Sequence, residues 1–317
     1  MNGILIVNKP VDWTSHDVVA KLRNALKIKR VGHGGTLDPM ATGVLPIFAG
    51  RATRAAEFCE NAEKEYIAGL RLGIVTDTQD ITGNTLSEVI PQVSQRDLEA
   101  VLPQFIGSQK QIPPMYSAIK KNGKKLYELA RKGIEVDRPP RDIFISAIEL
   151  LGAKPRGTGI PCTAADCNEP FCTKEADSSV CDFILRIACS KGTYIRTICH
   201  DIGAALGTGA AMSSLERTRA GAFAIDNAHT LGEILKCISS GEISKLMIPA
   251  DSLFKDYPAV TFDEAQTHKV RNGTSFETDL PDGKYRFYGP ESEFLALGEV
   301  LACKTKIIKG FFEPSGA

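Results

Sequence analysis

His33-Gly34-Gly35-Thr36-Leu37-Asp38-Pro39-Met40-Ala41-Thr42-Gly43-Val44-Leu45-Pro46 is the stretch on which the reading of this chain turns. Pro39 crowds a helical residue before it, so Asp38 is biased toward extended backbone. The glycines on either side let main chain come close to a ligand. His33–Pro39 therefore reads as a constrained loop with a carboxylate at its tip. An Asp-Pro pair among glycines also makes an ordinary turn, and the surrounding sequence must decide between the two.

Upstream, Ile4–Val7 reads as a short strand, and Thr14 or Ser15 can cap a helix whose Val18, Val19, Leu22 and Leu26 share one face. Downstream, Tyr66, Ala68, Leu70 and Leu72 alternate on one face of a strand. Residues 107–141 carry Pro113-Pro114, Gly123, Gly133 and Pro139-Pro140 among many Lys and Arg, an excursion from the core with a helix near Leu126–Arg131. Ile143–Leu151 returns to a strand pattern, and Gly152–Val180, which has no sustained period, reads as an inserted surface loop. Phe183, Leu185, Ile187 and Cys189 alternate again; Ile195, Ile198, Ile202 and Leu206 then follow helical spacing up to Gly207. From about Asp251 the pattern changes to short strands separated by turn signals such as Asn272-Gly273 and Asp282-Gly283, a small β domain.

With 317 residues, 43% of them hydrophobic, the chain can fill an ordinary core, and disorder is not the expectation. No run approaches the roughly 18 apolar residues of a spanning helix, and MNGILIVNKP shows no export or organelle signal, so a cytoplasmic protein without membrane contact is expected. Nine scattered cysteines fit free thiols in a reducing compartment better than a disulfide framework. Net charge is zero but unevenly spread. Lys and Arg outnumber Asp and Glu eight to three over residues 1–54 and nine to three over 110–141, against ten to fourteen over 222–317. Two basic blocks suit a polyanion-binding face, although a solvated charged surface has the same composition.

The loop and its ordered companions resemble the TruB family of tRNA pseudouridine-55 synthases, whose catalytic loop runs close to GHTGTLDPxATGVL. The companions are Asn8-Lys9-Pro10 with Thr14-Ser15, Thr76-Asp77-Thr78-Gln79-Asp80 before Gly83, and Pro114-Met115-Tyr116-Ser117-Ala118 with Lys120, Gly123, Tyr127 and Ala130-Arg131. Cys189-Ser190-Lys191-Gly192-Thr193-Tyr194-Ile195-Arg196-Thr197, Asp201, Gly203, Leu206-Gly207 and Leu215 follow, so the likeness spans almost all of residues 3–223. It implies an α+β pseudouridine synthase fold, a mixed, mostly antiparallel sheet flanked by helices and loops, over residues 1–250. A looser likeness in the tail implies a PUA-like RNA-binding domain over 251–317.

The implied reaction breaks the N1–C1′ bond of a T-loop uridine, turns the base and rejoins it through C5, which suits a nucleophilic or electrostatically active carboxylate. By resemblance Asp38 is that carboxylate and Arg196 the cation that favours its charged form. Tyr66 packs on the target base and is the candidate for the final proton removal. His33 accompanies nucleotide flipping, Tyr194 and Leu215 line the uridine pocket, and Lys9 anchors RNA or the active-site loop. A stacked uridine cannot reach a carboxylate in place, so extrusion is required. Lys120, Lys121, Lys124, Lys125, Arg131 and Lys132 belong to a thumb that clasps the T-arm of tRNA. No cofactor or metal is implied, because the isomerisation has no net redox change or phosphate transfer, and the expected state is a monomer.

Three departures stand out. Gly34 replaces a usual threonine and should loosen the turn. Glu216 stands where an arginine commonly follows the pocket leucine, leaving Arg217 and Arg219 to supply positive charge. Cys162, Cys167, Cys172 and Cys181 lack the tight C-x2-C pair of most zinc sites and are weak evidence for metal. Two other readings share these motifs: a tRNA-binding or folding protein on the same scaffold, and a guide-RNA-dependent relative acting on another RNA. Asp38, Tyr66 and Arg196 together favour catalysis.

Overall fold

Apolar alternation along the strands and apolar stripes along the helices sort the described residues into two larger sheets with helices packed against them, beside two small two-stranded hairpins. The computed structural model describes residues 1–155 and 181–312. From the N-terminus, β1 (Gly3–Lys9) leads into helix α1 (Ser15–Leu26), β2 (Val31–His33) and β3 (Thr42–Ala49). Helix α2 (Ala56–Asn61) precedes β4 (Lys64–Leu72), the hairpin β5 (Ile74–Thr76) and β6 (Thr85–Glu88), helix α3 (Gln95–Val101) and β7 (Gly107–Gln111). The basic excursion folds as a small hairpin, β8 (Lys120–Lys121) and β9 (Lys124–Lys125), running into helix α4 (Leu126–Ala130). Strands β10 (Arg141–Pro155) and β11 (Cys181–Cys189) return to the body, followed by α5 (Ile195–Ala205), β12 (Ala210–Ala220), β13 (Phe223–Ala224), β14 (His229–Thr230) and α6 (Leu231–Ser239). The tail holds β15 (Ala259–Thr261), α7 (Glu264–Arg271), β16 (Gly283–Tyr288), β17 (Phe294–Leu301) and β18 (Lys304–Gly310).

Ten strands make one mixed sheet in the order β14-β1-β3-β12-β4-β11-β10-β7, with β2 beside β3 and β13 beside β12. Most pairs are antiparallel; β1 with β14 and β12 with β3 are parallel. The second parallel contact matters most, because Glu216↔Thr42 and Arg217↔Gly43 bring the end of the Asp38 loop against β12. Helices α1, α3, α5 and α6 cover one face of the sheet, where Val18, Leu22, Leu98, Ile198, Ile202 and Ile234 meet Leu45, Leu70, Phe183 and Leu185. Burial of this kind is worth roughly 1.5–3 kcal/mol per large side chain.

The other face carries Ile4, Ile6, Phe48, Cys59 and Phe223, and onto it pack Phe254, Leu297 and Phe311 from the tail. The tail is a four-stranded sheet, β15-β16-β17-β18, with its own core around Phe262, Phe276, Phe287 and Leu295. Arg54 Nη1 donates to Gly310 O at 2.8 Å and Lys309 pairs with Glu57, so the two bodies are joined by polar contacts as well.

Several local expectations shift. Thr14, not Ser15, caps α1, in a reciprocal pair with Asp17. His33 still pairs with Ile47 of β3, so the glycine-rich loop begins at Gly34. Asn272-Gly273 closes helix α7 and does not turn a hairpin. Gly152 to Pro155 continue β10, paired with Ile184 to Cys181, so the apparent insert begins later than its composition suggests. The remainder of that insert, with Cys162, Cys167 and Cys172, lies outside the described residues, as does the side chain of Cys181. Among the described residues no helix is long and apolar enough to cross a membrane.

Candidate active site

The Asp38 loop is held from every side by groups far away in sequence. Ser15, freed from capping and 2% exposed, accepts from Leu37 N at 2.9 Å, fixing the residue before the aspartate. Asp12 N donates to Pro39 O at 2.9 Å, Gly34 N to Pro46 O at 2.9 Å and Ala41 N to Asp38 O at 3.1 Å. Gly43 has φ +95°, and a Cβ there would sit 2.3 Å from the Arg217 carbonyl, so only glycine allows the β3–β12 approach. Gly34 does not loosen the turn: a Cβ there would lie 2.8 Å from the Phe48 ring and 3.0 Å from the Cys59 sulfur. Those two side chains occupy the space that a threonine would need.

Arg196 enters this loop from the first turn of α5. Its side chain is 5% exposed and that of Asp38 37%, and Nε lies 2.9 Å from Asp38 Oδ2. The guanidinium also donates through Nη1 to Thr78 O at 3.0 Å and through Nη2 to Tyr116 O at 2.8 Å, and lies 3.7 Å from Asp80 Oδ2. Asp80 is itself held by Thr78 Oγ1 at 2.9 Å and Thr82 N at 3.0 Å. A buried cation with its donors committed in several directions has little freedom to leave Asp38. The carboxylate retains its solvent-facing side, where a substrate atom can approach.

Tyr66, 9% exposed, lies on β4 with Arg217 beside its ring and Asp38 close enough to act on it electrostatically. Burial pushes its phenol above the ordinary value, with Arg217 pulling the other way. Tyr194 is the N-cap residue of α5; burial raises its phenol too, while Ser117 beside it and Arg141 lower it. Burial lowers the His33 imidazole, followed by Arg217 and His16, so the neutral ring is favoured. Its buried Nδ1 has no hydrogen-bond partner among the described residues. Leu215 is 6% exposed on β12, across from Ala68 of β4.

Lys9 is fully buried, and its ammonium donates to Pro10 O at 2.8 Å, Trp13 O at 2.6 Å and Pro39 O at 3.1 Å. Burial brings it down to about 8 against the opposing pull of Asp38 and Asp12. One of its acceptor carbonyls, Pro39 O, belongs to the Asp38 loop. The cations Lys120, Lys124, Arg131 and Lys132 are exposed, and Lys121 and Lys125 half-buried, on the β8–β9 hairpin and around α4. Lys125 and Arg131 both lie 5.4 Å from the centre of the Tyr127 ring. Among the described residues no group of three or more His, Cys, Asp or Glu could hold a metal ion.

Arg217 departs most from expectation. It is 1% exposed; Nε donates to Val44 O at 2.7 Å, Nη2 to Gly35 O at 3.1 Å, and Nη1 reaches Thr36 O at 3.5 Å. It braces the Asp38 loop and supplies no surface charge. Arg219 is partly exposed and pairs with Glu63 at 2.8 Å.

Family models match two consecutive segments: TruB family pseudouridylate synthase, N-terminal domain, over residues 23–195, and the tRNA pseudouridylate synthase B C-terminal domain over 196–255. The second match ends before β15. Similar relatives include tRNA pseudouridine synthase B of Lactococcus lactis, 43% identical over 88% of this chain and 80% of the relative. That of Syntrophomonas wolfei is 40% identical over 94% and 93%, and that of Clostridium kluyveri 38% over 98% and 100%. A chain in the crystal structure of a Cbf5-Nop10-Gar1 complex superposes with TM-score 0.67 at 25% identity, covering 98% of this chain and 85% of that one. A chain of an archaeal box H/ACA sRNP Nop10-Cbf5 complex gives 0.64 at 23% identity over 99% and 87%, a likeness of fold.

Proposed function

Because the chain belongs to the TruB family of pseudouridylate synthases, an isomerase family, we propose that it converts uridine 55 in the T-loop of tRNA to pseudouridine, with Asp38 as the essential carboxylate. The observation that carries this reading is the Asp38–Arg196 pair at 2.9 Å, with a buried guanidinium and a carboxylate that keeps an open side. A carboxylate so placed can act on C1′ while the electron pair of the N1–C1′ bond leaves with uracil N1. The base then turns, C5 bonds to C1′, and the C5 proton departs. No electron or phosphate is transferred overall.

Tyr66 is assigned to packing on the base; since burial favours its neutral phenol, it can accept the C5 proton only by passing on its own. His33, neutral by burial, is assigned to the space left by the flipped nucleotide, where stacking of about 1–3 kcal/mol per base offsets part of the unstacking. Tyr194 and Leu215 line the pocket. Lys9 is assigned to the loop, since its ammonium is enclosed by three carbonyls.

The thumb cations are assigned to T-arm phosphates. A second basic surface supports contact elsewhere on the tRNA: Arg54, Arg271, Lys304 and Lys306 line a groove of about 710 Å³ on the C-terminal sheet. We assign residues 251–317 to this accessory RNA-binding role, residues 1–250 to catalysis, and the working state to a monomer.

The test is to incubate the protein with an unmodified tRNA transcript and with its isolated T-stem-loop, then map pseudouridine at single-nucleotide resolution. Modification confined to the T-loop uridine is expected on both. Modification elsewhere, or binding and refolding of tRNA with no pseudouridine, would overturn the assignment.

A further inference from the structure

Gln111 is the last residue of β7, at the base of the basic excursion, and is 4% exposed. Its amide faces the main chain of Tyr194 squarely: Oε1 accepts from Tyr194 N at 2.8 Å, and Nε2 donates to Tyr194 O at 3.0 Å. A primary amide has one donor side and one acceptor side, and here each is matched. Tyr194 is the N-cap of α5 and makes no side-chain cap of its own, so Gln111 sets how that helix begins. Arg196 follows two residues later.

The same stretch of chain runs on from this clamp into the thumb. Tyr116 O accepts from Arg196 Nη2 at 2.8 Å, and Ser117 lies beside the Tyr194 phenol. Ser117 O and Ile119 O then accept from Tyr127 N at 3.1 Å and Leu126 N at 2.8 Å, amides that open α4. Leu126, 2% exposed, seats that helix. An unbroken line of contacts thus joins the helix flanked by the thumb cations to the guanidinium that holds Asp38. A clasp serving affinity alone needs no bond to the catalytic arginine.

We propose that Gln111 is a positioning residue: standing at the base of the RNA-clasping segment, it fixes the main chain of Tyr194 at the start of α5 and so holds Tyr194 and Arg196 in place against Asp38. The proposal rests on the site reading given above.

Gln111→Glu tests it, because the substitution is isosteric and its effect depends on a proton. As a carboxylate, Glu at this position still accepts from Tyr194 N but turns a lone pair toward Tyr194 O. When protonated it donates there and restores the pair. Burial raises a carboxyl pKa, so recovery falls within a usable range. At pH 8, single-turnover rate on saturating tRNA should fall by about thirtyfold or more, with tRNA Kd within about threefold of wild type. Relative to wild type, the rate should recover as pH is lowered toward about 6. Gln111→Met, which has neither donor nor acceptor, should stay slow at every pH and serves if the Glu variant fails to fold. A Met variant at wild-type rate, a Glu variant with no pH-dependent recovery, or a loss confined to Kd would each overturn the proposal. Asp38→Asn run alongside separates the two readings: turnover by that variant removes the site assignment whatever Gln111 does.

Discussion

Replacing Arg217 with methionine isolates the brace of the Asp38 loop. The stem volume is largely kept, and every donor is removed. Two contacts carry the weight, Nε to Val44 O at 2.7 Å and Nη2 to Gly35 O at 3.1 Å; the third, at 3.5 Å, is weak. Hydrogen bonds from a charged group contribute roughly 1.5–3 kcal/mol each, and the orphaned carbonyls would remain shielded from water. A loss of about 3–5 kcal/mol follows. At roughly 2–4 °C per kcal/mol for a body of this size, the melting midpoint should drop by about 6–20 °C. Gly35 and Thr36 immediately precede Leu37 and Asp38, so the single-turnover rate should fall well below wild type even far beneath the new midpoint. Arg217→Lys, a point charge in place of a planar fork, should recover only part of both losses. A midpoint shift under about 2 °C with an unchanged rate would refute the bracing role.

Lys9 gives a pH signature. Its pKa is about 8 when folded against 10.5 for a free lysine, so above pH 8 the unfolded chain holds more protons at this position and the Lys9 contribution to stability should rise with pH up to 10.5. At about 1.4 kcal/mol per pKa unit the Lys9 gain is roughly 2–3 kcal/mol; other buried groups such as Lys64, Cys189 and Cys199 titrate alike in both proteins, so the gain should appear as the difference between wild type and Lys9→Arg in the change of denaturant midpoint from pH 8 to 10, and parallel behaviour of the two would reject it. Lys124→Glu with Lys125→Glu should weaken tRNA binding and reduce its log–log salt slope by roughly 1.4–1.8, as expected for two lost phosphate contacts; an unchanged slope argues against the thumb assignment. Lys304→Glu with Lys306→Glu should weaken binding of whole tRNA several-fold and leave the isolated T-stem-loop unaffected. Equal loss on both RNAs would place the C-terminal groove on the T-arm instead.

The Asp38 loop is legible because its features are local. Pro39, the glycines and Asp38 announce a constrained carboxylate within a few residues, and the strands around it alternate plainly, as at Tyr66 to Leu72. Sequence leaves Arg217 with Arg219 to supply positive charge and does not show that Arg217 is buried, for a physical reason. Strand β12 has register shifts between Met212 and Ser214 and between Arg217 and Arg219, so counting by twos along it does not tell which face a residue takes. Ser15 was read as a cap candidate, yet its partner, Leu37, lies 22 residues away. Gln111 and Asp80 act through partners roughly 80 to 120 residues distant, and a single polar side chain at a strand end or in a turn carries no periodic signal of that. Gly34 looked like a weakness because sequence does not reveal that Phe48 and Cys59 fill the space beside it.

We assign the isomerisation to the Asp38 carboxylate, held by Arg196. Asp38→Asn removes the charge and keeps the shape, so its single-turnover rate on a T-stem-loop, measured with RNA affinity, tests that claim most directly. Pseudouridine formation should vanish while Kd stays within about threefold of wild type. Turnover at a substantial fraction of the wild-type rate would contradict the account.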